Sequence, residues 1–202
     1  MTQAGPSNDM VGPLTGLRVL ELTGEHAQFC GKLMADLGAD VIKIEPPGGQ
    51  ETRNVGPFLN DEEHPERSLY FWHYNTSKRG VTLDITKPEG KEVFRKLSAT
   101  AGLILESFPA GYMPGLGLGY EDLSADNPGL IMCSVTPFGQ DGPWRDYKTS
   151  DLLHLAAGGQ MASSGYDVED VPDAPPIAPG GGNAWHIASH YSYIAIMAAL
   201  YY

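Results

Sequence analysis

Two short runs of strand-forming residues enclose one helical pattern near the start of the chain, and together they predict a strand–helix–strand unit. The runs are Arg-Val-Leu-Glu-Leu at 18–22 and Val-Ile-Lys-Ile-Glu at 41–45. Gly38 lies where a glycine in the left-handed conformation would end the helix between them. Such a unit predicts ligand binding at the carboxyl ends of its strands. The apolar face of the helix consists of Phe29, Leu33, Met34 and Leu37.

The same alternation of strands and helices continues along the chain. Thr86 and Glu89 have the spacing of a capping box, which predicts a helix with Thr86 as its N-cap. A short helix is predicted at 120–125. This alternation predicts an α/β, Rossmann-like fold, with a mostly parallel sheet and helices on both of its faces. The further strands are predicted at 81–85, 103–106 and 130–135.

The last fifty residues differ from the rest of the chain in composition and pattern. Ser150 and Asp151 are expected to begin a helix that continues to residue 157, and an acidic loop rich in Pro and Gly follows at 166–183. Residues 184–202 predict a final helix that is nearly uncharged and apolar on most of its surface. Such a helix is normally buried on most sides. We therefore expect missing sequence, another copy or another subunit to cover it.

Charge and composition exclude several classes of partner. The formal net charge of −12 disfavours nucleic acid and anionic membrane surfaces. The first nine residues lack the pattern of a signal peptide, and no apolar run reaches the ~18 residues of a membrane helix. Cys30 and Cys133, far apart in apolar surroundings, are interpreted as reduced core residues. We expect a cytoplasmic protein.

Three local patterns could carry chemistry. Lys78 and Arg79 follow small polar residues before a strand, so they could bind the phosphates of a nucleotide-like ligand; the alternative is a pair of solvated surface cations. The first βα turn lacks the glycine spacing of a dinucleotide site, and Glu25 would repel a phosphate there. His186 and His190 have the spacing of two metal ligands. No carboxylate or cysteine accompanies them on that helix, so we interpret them as packed or partner-facing and predict no metal.

Several segments together resemble the family III CoA-transferases, the group of formyl-CoA and carnitine CoA-transferases. The resemblance runs from about residue 16 to residue 202, in the order and spacing of that family. It is carried by Met-Ala-Asp-Leu-Gly-Ala-Asp-Val-Ile-Lys-Ile-Glu at 34–45, Asn-Thr-Ser-Lys-Arg at 75–79, Glu-Ser-Phe-Pro-Ala-Gly at 106–111, Leu-Gly-Leu-Gly-Tyr-Glu-Asp-Leu at 116–123 and Cys-Ser-Val-Thr-Pro-Phe-Gly-Gln-Asp-Gly-Pro at 133–143.

The resemblance implies an architecture and a ligand. Family members are longer than this chain, have a small domain after the Rossmann-like one, and form interlocked dimers. It implies a flexible N-terminus at 1–15, a CoA-binding domain at 16–183, and a helix at 184–202 leading toward a small domain absent from this chain. Pro46 and Gly115 stand where the family often has Arg, which implies weaker or altered CoA binding. The implied CoA-binding residues are Glu25, His26, Asn75, Lys78, Arg79, Ser107, Phe108, Thr136 and Phe138.

The resemblance also identifies a missing nucleophile. In the family, an Asp at the start of the final helix attacks the acyl-CoA thioester, and covalent catalysis of this kind needs a carboxylate. Trp185 occupies that position, and no Asp or Glu occurs between residues 174 and 202. The catalytic residues of the family's racemases are also absent, because their proton-shuttling His would fall at Ser150.

Three hypotheses follow from the missing nucleophile. The first is a CoA-transferase subunit whose homologous partner supplies the Asp, as in heteromeric members of the succinyl-CoA:benzylsuccinate type. The second is a non-catalytic CoA-binding or scaffolding protein. The third is an active enzyme that uses another carboxylate, for which Asp151 is the nearest candidate.

Overall fold

The computed structural model describes residues 12–166, 170, 171 and 173–202. Within them, one five-stranded sheet has the order β3-β2-β1-β4-β5, and every pair of neighbouring strands is parallel. The expected α/β fold with a parallel sheet is therefore confirmed. The strands are β1 (Arg18–Leu22), β2 (Asp40–Glu45), β3 (Arg79–Thr82), β4 (Leu103–Glu106) and β5 (Ile131–Ser134).

Helices cover both faces of this sheet because successive side chains of a strand point to opposite faces. In β1, Val19 belongs to a core cluster with residues of α1 and α7, whereas Leu20 belongs to a second cluster with residues of α3, α4 and α5. The helices are α1 (Gln28–Asp36), α2 (Leu69–Asn75), α3 (Pro88–Ser98), α4 (Tyr112–Gly115), α5 (Tyr120–Ser124), α6 (Asp151–Ala157) and α7 (Asn183–Tyr201).

Two local expectations near residue 85 are wrong in register. The third strand was expected at 81–85, but β3 pairs with β2 over Arg79–Thr82, and Ile85 lies beyond it in the core. The apolar pattern there reflects core packing outside the sheet. Helix α3 begins at Pro88 with Lys87 at the N-cap, and the Thr86 hydroxyl donates to Asp84 Oδ1 at 2.6 Å. Asp84 thus engages the hydroxyl that the capping box required.

The ends of the chain test other expectations. Helix α6 spans Asp151–Ala157, and the Ser150 side chain accepts from the Leu153 N–H, as predicted. Residues 1–11, most of the expected flexible N-terminus, lie outside the described residues, as do 167–169 and 172 of the predicted acidic loop. No helix in the described part of the chain is long and apolar enough to cross a membrane.

Candidate functional site

The carboxyl ends of three strands bring their following loops together at one edge of the sheet. The turn after β1 carries Glu25 and His26, the segment after β4 begins with Ser107, and the segment after β5 contains Thr136. The Ser107 Oγ accepts a hydrogen bond from the Gly24 N–H at 2.9 Å, which joins the first two of these loops. The sheet topology thus assembles a site from segments far apart in sequence.

One cavity at this edge, which we call the strand-end cavity, has a volume of about 490 Å³. Glu25, His26, Ser107 and Phe108, four of the residues that the family resemblance implied as CoA contacts, line it. Phe108 packs against Tyr112 with ring centroids 4.6 Å apart. Its remaining lining residues are Leu22, Gly24, Ile44, Pro46, Gly49, Gln50, Glu51, Leu83, Asp84, Ile85, Thr86, Pro109 and Tyr112.

The strand-end cavity is acidic rather than basic. Glu25, Glu51 and Asp84 line it, whereas no Lys or Arg stands among its described lining residues. Pro46 is one of those lining residues, at the position where the family resemblance led us to expect weaker CoA binding. Long-range charge therefore does not favour an anionic group inside this cavity.

A second cavity, the α6–α7 cavity, has a volume of about 320 Å³ and shares His26 with the first. Trp185, in the first turn of α7, is 8 % exposed. Its ring lies 4.3 Å from the His26 ring and 5.4 Å from the His154 ring, measured between centroids. The other lining residues are Val135, Thr136, Pro137, Leu155, Gly158, Gln160, Ala184, Ile187 and Ala188.

Two imidazoles of the α6–α7 cavity have lowered pKa values. Burial lowers the pKa of His26, and nearby His154 lowers it further, against the opposing effect of Glu25. Burial also lowers the pKa of His154, against the effect of Asp151. Since an ordinary histidine pKa is about 6.5, both rings are neutral near pH 7. His154 was not singled out by the sequence, because a lone histidine on a helix has no distinguishing pattern.

Lys78 does not reach either cavity. Its ammonium lies 2.8 Å from Glu21 Oε2, and the Lys43 ammonium lies 3.0 Å from Oε1 of the same carboxylate. The side chains of this charge cluster, Glu21, Lys43 and Lys78, are at most 2 % exposed. Burial lowers the pKa of Lys78 to about 8, although Glu21 acts in the opposite direction. The structure therefore places Lys78 in the interior and not at the phosphate-binding surface that the sequence predicted.

The charge cluster holds the first βα turn by hydrogen bonds to backbone carbonyls on both sides of it. Lys43 donates to the Thr23 carbonyl at 2.9 Å, and Lys78 donates to the Gln28 carbonyl at 2.8 Å. Lys78 also donates to Asn75 Oδ1, so Asn75 lies beside the cluster and outside both cavities. Lys78 and Asn75 thereby hold the segment that carries Glu25 and His26.

Arg79 lies toward the opposite edge of the sheet. It is the first residue of β3, and its guanidinium donates to both carboxylate oxygens of Asp40, the first residue of β2, at 2.8 and 2.7 Å. Because the strands are parallel, these residues are at their amino-terminal ends, away from the two cavities. Neighbouring Lys78 and Arg79 therefore do not form one basic site. The Arg79 side chain is 62 % exposed, so Arg79 fits the alternative of a solvated surface cation, here paired with Asp40, and not the expected ligand contact.

The remaining candidates have defined places as well. The Phe138 ring lies 5.2 Å from the His154 ring, behind the wall of the α6–α7 cavity. His186 hydrogen-bonds to the Tyr74 hydroxyl at 2.7 Å through Nε2, and His190 Nδ1 contacts the His186 carbonyl at 2.8 Å. Among the described residues, no group of three or more metal-ligating side chains is positioned to hold an ion.

Asp151, the alternative carboxylate, lies next to the start of α7. Its Oδ1 accepts a hydrogen bond from the Ala184 N–H at 2.8 Å, one residue before Trp185. This bond satisfies one of the free N–H groups in the first turn of α7. Asp151 therefore links the start of α6 to the start of α7.

Comparisons with known proteins agree on one family. The profile of CoA-transferase family III matches residues 14–202. The chain is 41 % identical to succinyl-CoA:(R)-benzylsuccinate CoA-transferase subunit BbsE of Thauera aromatica, over 91 % of this chain and 44 % of the relative. It is 39 % identical to succinate–glutarate CoA-transferase of Agrobacterium fabrum, over 93 % of this chain and 47 % of the relative.

A solved structure shares the fold as well. The crystal structure of a CAIB/BAIF family protein from Brucella suis superimposes with a TM-score of 0.84 and 39 % identity, over 94 % of this chain and 49 % of that protein. The chain thus spans about half the length of the relatives that it matches.

Proposed function

This chain belongs to CoA-transferase family III, and we propose that it is a subunit that helps move CoA between carboxylic acids, such as from succinyl-CoA to an aromatic or dicarboxylic acid. It works as one part of an interlocked assembly with a homologous subunit or a second copy. In this proposal residues 16–183 form the CoA-binding domain, and the helix at 184–202 leads toward a small domain of the assembly. We retain the cytoplasm as the expected compartment.

The observation that carries this proposal is the junction of the two cavities at His26. A CoA thioester is a long ligand with a nucleotide at one end and an acyl group at the other. The strand-end cavity accommodates the CoA portion beside Glu25, Ser107 and Phe108, and the α6–α7 cavity accommodates the acyl portion. Thr136 then contacts the ligand near the thioester, while Phe138 supports His154 from behind.

The acidic lining of the strand-end cavity determines which part of CoA fits inside it. Pantetheine is uncharged and can pack on Phe108 and Tyr112, whereas phosphates near Glu25 and Asp84 would be repelled. We therefore place pantetheine in the cavity and the phosphates toward solvent. In this arrangement Lys78 and Asn75 position the first turn and do not touch CoA.

The nucleophile is supplied by a partner subunit in this proposal. An indole cannot form the mixed anhydride that the family's mechanism requires. Trp185 is buried between His26 and His154, so it is suited to form a wall of the site. One similar protein is itself named as a subunit of its transferase, which supports a shared arrangement here.

Reconstitution tests the proposal. CoA transfer from succinyl-CoA to an acceptor acid is measured with this chain alone and together with a homologous subunit that carries Asp at the position matching Trp185. We expect transfer only from the mixture. Trp185→Asp should add no rate to the mixture, and Trp185→Phe, which keeps an aromatic wall, serves as the matched control. Transfer by the chain alone contradicts the partner-supplied nucleophile.

Two alternative functions give different outcomes in the same experiments. Asp151 is favoured as a nucleophile only by its proximity to the start of α7, and activity of the chain alone that disappears in Asp151→Asn would support it. Calorimetric binding of CoA without transfer in any mixture would support a non-catalytic CoA-binding protein. No heat at about millimolar CoA contradicts CoA binding altogether.

A further inference from the structure

We propose that the α6–α7 cavity is an acyl pocket that selects an uncharged, apolar acyl group, such as an aryl group, over the second carboxylate of a dicarboxylic acid. This inference rests on the proposed function, because it assigns the substrate class of the same site. It assigns Thr136 and His154 to the thioester carbonyl, and Trp185, Ile187 and Ala188 to selection of the acyl group.

The lining of the cavity provides the first argument. It combines the Trp185 indole with aliphatic side chains such as Leu155 and Ile187, and no Asp, Glu, Lys or Arg stands among its described lining residues. A volume of about 320 Å³ accommodates a phenyl-sized group. Flat aromatic walls favour an aromatic ligand, which can pack edge-to-face or offset against them.

The absence of a counter-charge among these lining residues provides the second argument. A carboxylate that enters an apolar cavity loses its hydration, and only a cation or several hydrogen bonds can compensate for that loss. His26 and His154 are neutral near pH 7 because burial lowers the pKa of both. A second carboxylate on the acyl group would therefore be poorly stabilised beside them.

Two buried polar atoms provide the third argument. Thr136 Oγ1 and His154 Nε2 are shielded from solvent, and neither has a hydrogen-bond partner among the described residues. Both side chains line the α6–α7 cavity. Buried polar groups are nearly always hydrogen-bonded, so these two atoms indicate a ligand oxygen in the cavity. The thioester carbonyl supplies such an oxygen at the CoA end of an otherwise apolar acyl group.

The position of His26 gives the ligand its direction. Because His26 lines both cavities, a thioester with its CoA portion in the strand-end cavity has its carbonyl at the entrance of the α6–α7 cavity. The acyl group then extends along Trp185 toward Ile187 and Ala188. Selection consequently takes place beyond the thioester and leaves the CoA portion unaffected.

Calorimetric affinities of the full protein, with its partner subunit where they assemble, test the pocket. The ligands are CoA, acetyl-CoA, benzoyl-CoA and succinyl-CoA. We expect benzoyl-CoA to bind at least about tenfold more tightly than acetyl-CoA, and succinyl-CoA to bind no more tightly than acetyl-CoA. Equal affinity for acetyl-CoA and benzoyl-CoA, or tighter binding of succinyl-CoA than of benzoyl-CoA, overturns the pocket and leaves the proposed function standing.

A truncated ligand separates the failure of the pocket from the failure of the function. Benzoyl N-acetylcysteamine keeps the aryl thioester and lacks the nucleotide. If it binds while CoA does not, the acyl pocket stands and the proposed CoA site fails. If neither this compound nor any CoA ester binds, both proposals are overturned.

Three variants address the residues directly. Thr136→Val removes the hydroxyl, and His154→Phe removes the ring nitrogens, while each keeps the side-chain shape. Both should lower the ratio of benzoyl-CoA affinity to CoA affinity about fivefold. Ala188→Leu fills the cavity and should abolish the benzoyl preference without removing a polar group. Thr82→Val and His73→Phe, at exposed positions outside the cavity, are the matched controls. An unchanged ratio of benzoyl-CoA affinity to CoA affinity in all three cavity variants overturns the assignment.

Discussion

At the scale of single residues, Glu21 is the most completely enclosed charge of the charge cluster. Its side chain has no exposed surface, and it accepts hydrogen bonds from Thr23, Lys43 and Lys78 at 2.7 to 3.0 Å. Burial alone would raise its pKa, but the two lysines outweigh that effect, and the pKa of Glu21 is lowered. The carboxylate is therefore ionised and holds two ammonium groups inside the protein.

Removing this carboxylate should cost much more than removing one of its lysines. Glu21→Leu leaves two buried ammonium groups uncompensated, and we expect the free energy of unfolding to fall by about 3–5 kcal/mol. Lys78→Met leaves a Glu21–Lys43 pair of balanced charge, so its loss should be smaller. Urea denaturation near pH 7 measures both. A larger loss in Lys78→Met than in Glu21→Leu contradicts the central role of the carboxylate.

Gly31 of helix α1 packs closely against the Glu21 carboxylate. A Cβ at this position would lie 1.8 Å from Glu21 Oε2, far inside van der Waals contact. Alanine normally stabilises a helix interior by about 0.5–1 kcal/mol relative to glycine. Here the displaced carboxylate outweighs that gain, and we expect Gly31→Ala to lower the free energy of unfolding by about 1–3 kcal/mol.

Gly115 provides the matched control for this prediction. It lies in α4, and a Cβ there meets nothing within 4 Å. Gly115→Ala should therefore be neutral or stabilising by up to about 1 kcal/mol. Thermal and urea unfolding of the two variants give the comparison, and equal effects at both positions would mean that Glu21 can move without cost.

At the scale of elements, the long segment between β2 and α2 is held to the sheet by Arg53. Its guanidinium donates to both carboxylate oxygens of Glu45, at 2.6 and 2.8 Å, and to Glu66 at 3.0 Å. The guanidinium carbon also lies 3.9 Å from the centre of the Phe71 ring. One side chain thus connects a strand end, a loop and a helix.

The pH dependence of this connection follows from the pKa of Glu45. Burial acts to raise it, but the hydrogen bonds from Arg53 and from the Gln50 N–H lower it below the ordinary value. A lowered pKa in the folded state contributes stability above the unfolded pKa of about 4.3, and this contribution disappears as the pH falls through the folded value. Arg53→Met should therefore cost about 2 kcal/mol near pH 7 and much less near pH 3.

An exposed ion pair serves as the control for Arg53. Lys96 and Glu92 pair on α3, with side chains 72 % and 69 % exposed. Lys96→Met should leave the free energy of unfolding nearly unchanged at neutral pH, because solvent screens an exposed ion pair. Urea denaturation at both pH values compares the variants. A cost of Arg53→Met that is the same at low and neutral pH would show that packing on Phe71, and not the ion pair, holds the segment.

At the scale of the whole molecule, the sheet separates two cores, and α7 is only partly covered. Ile196 is 1 % exposed and joins the core that contains Val19 and Met34. On the same helix, Tyr191 and Ile194 are 71 % and 60 % exposed. The amphipathic arrangement that most helices encode in sequence is absent, since apolar residues lie on both the packed and the exposed sides.

Much of this architecture could be predicted because it depends on local pattern. The bounds of β1 and β4 were predicted to the residue, since buried strands are continuous apolar runs between turns. The family resemblance named Glu25, His26, Ser107 and Thr136 together, and in the structure the loops that carry them meet at the carboxyl ends of the strands; their contact with CoA stays a prediction. Helix α2 was not predicted, because its start lies against a loop rich in Pro and Gly.

The direction of charged side chains could not be predicted. Lys78 and Arg79 are neighbours in sequence, and local reasoning treated them as one basic patch. Their partners, Glu21 and Asp40, are contributed by other strands at different depths of the sheet. Local sequence does not contain that information. Only the folded chain shows that Lys78 is buried beside Glu21, whereas Arg79 pairs with Asp40 at the amino-terminal ends of the strands.

The sequence by itself therefore determined the strand–helix alternation, the family membership and the absence of Asp and Glu between residues 174 and 202. The tertiary structure decided that His154 joins His26 and Trp185 in an uncharged cavity, and that Lys78 supports the first turn from inside. The physical reason is range: periodicity and turn residues act over a few positions, whereas burial and ion pairing depend on which distant segments the sheet brings together.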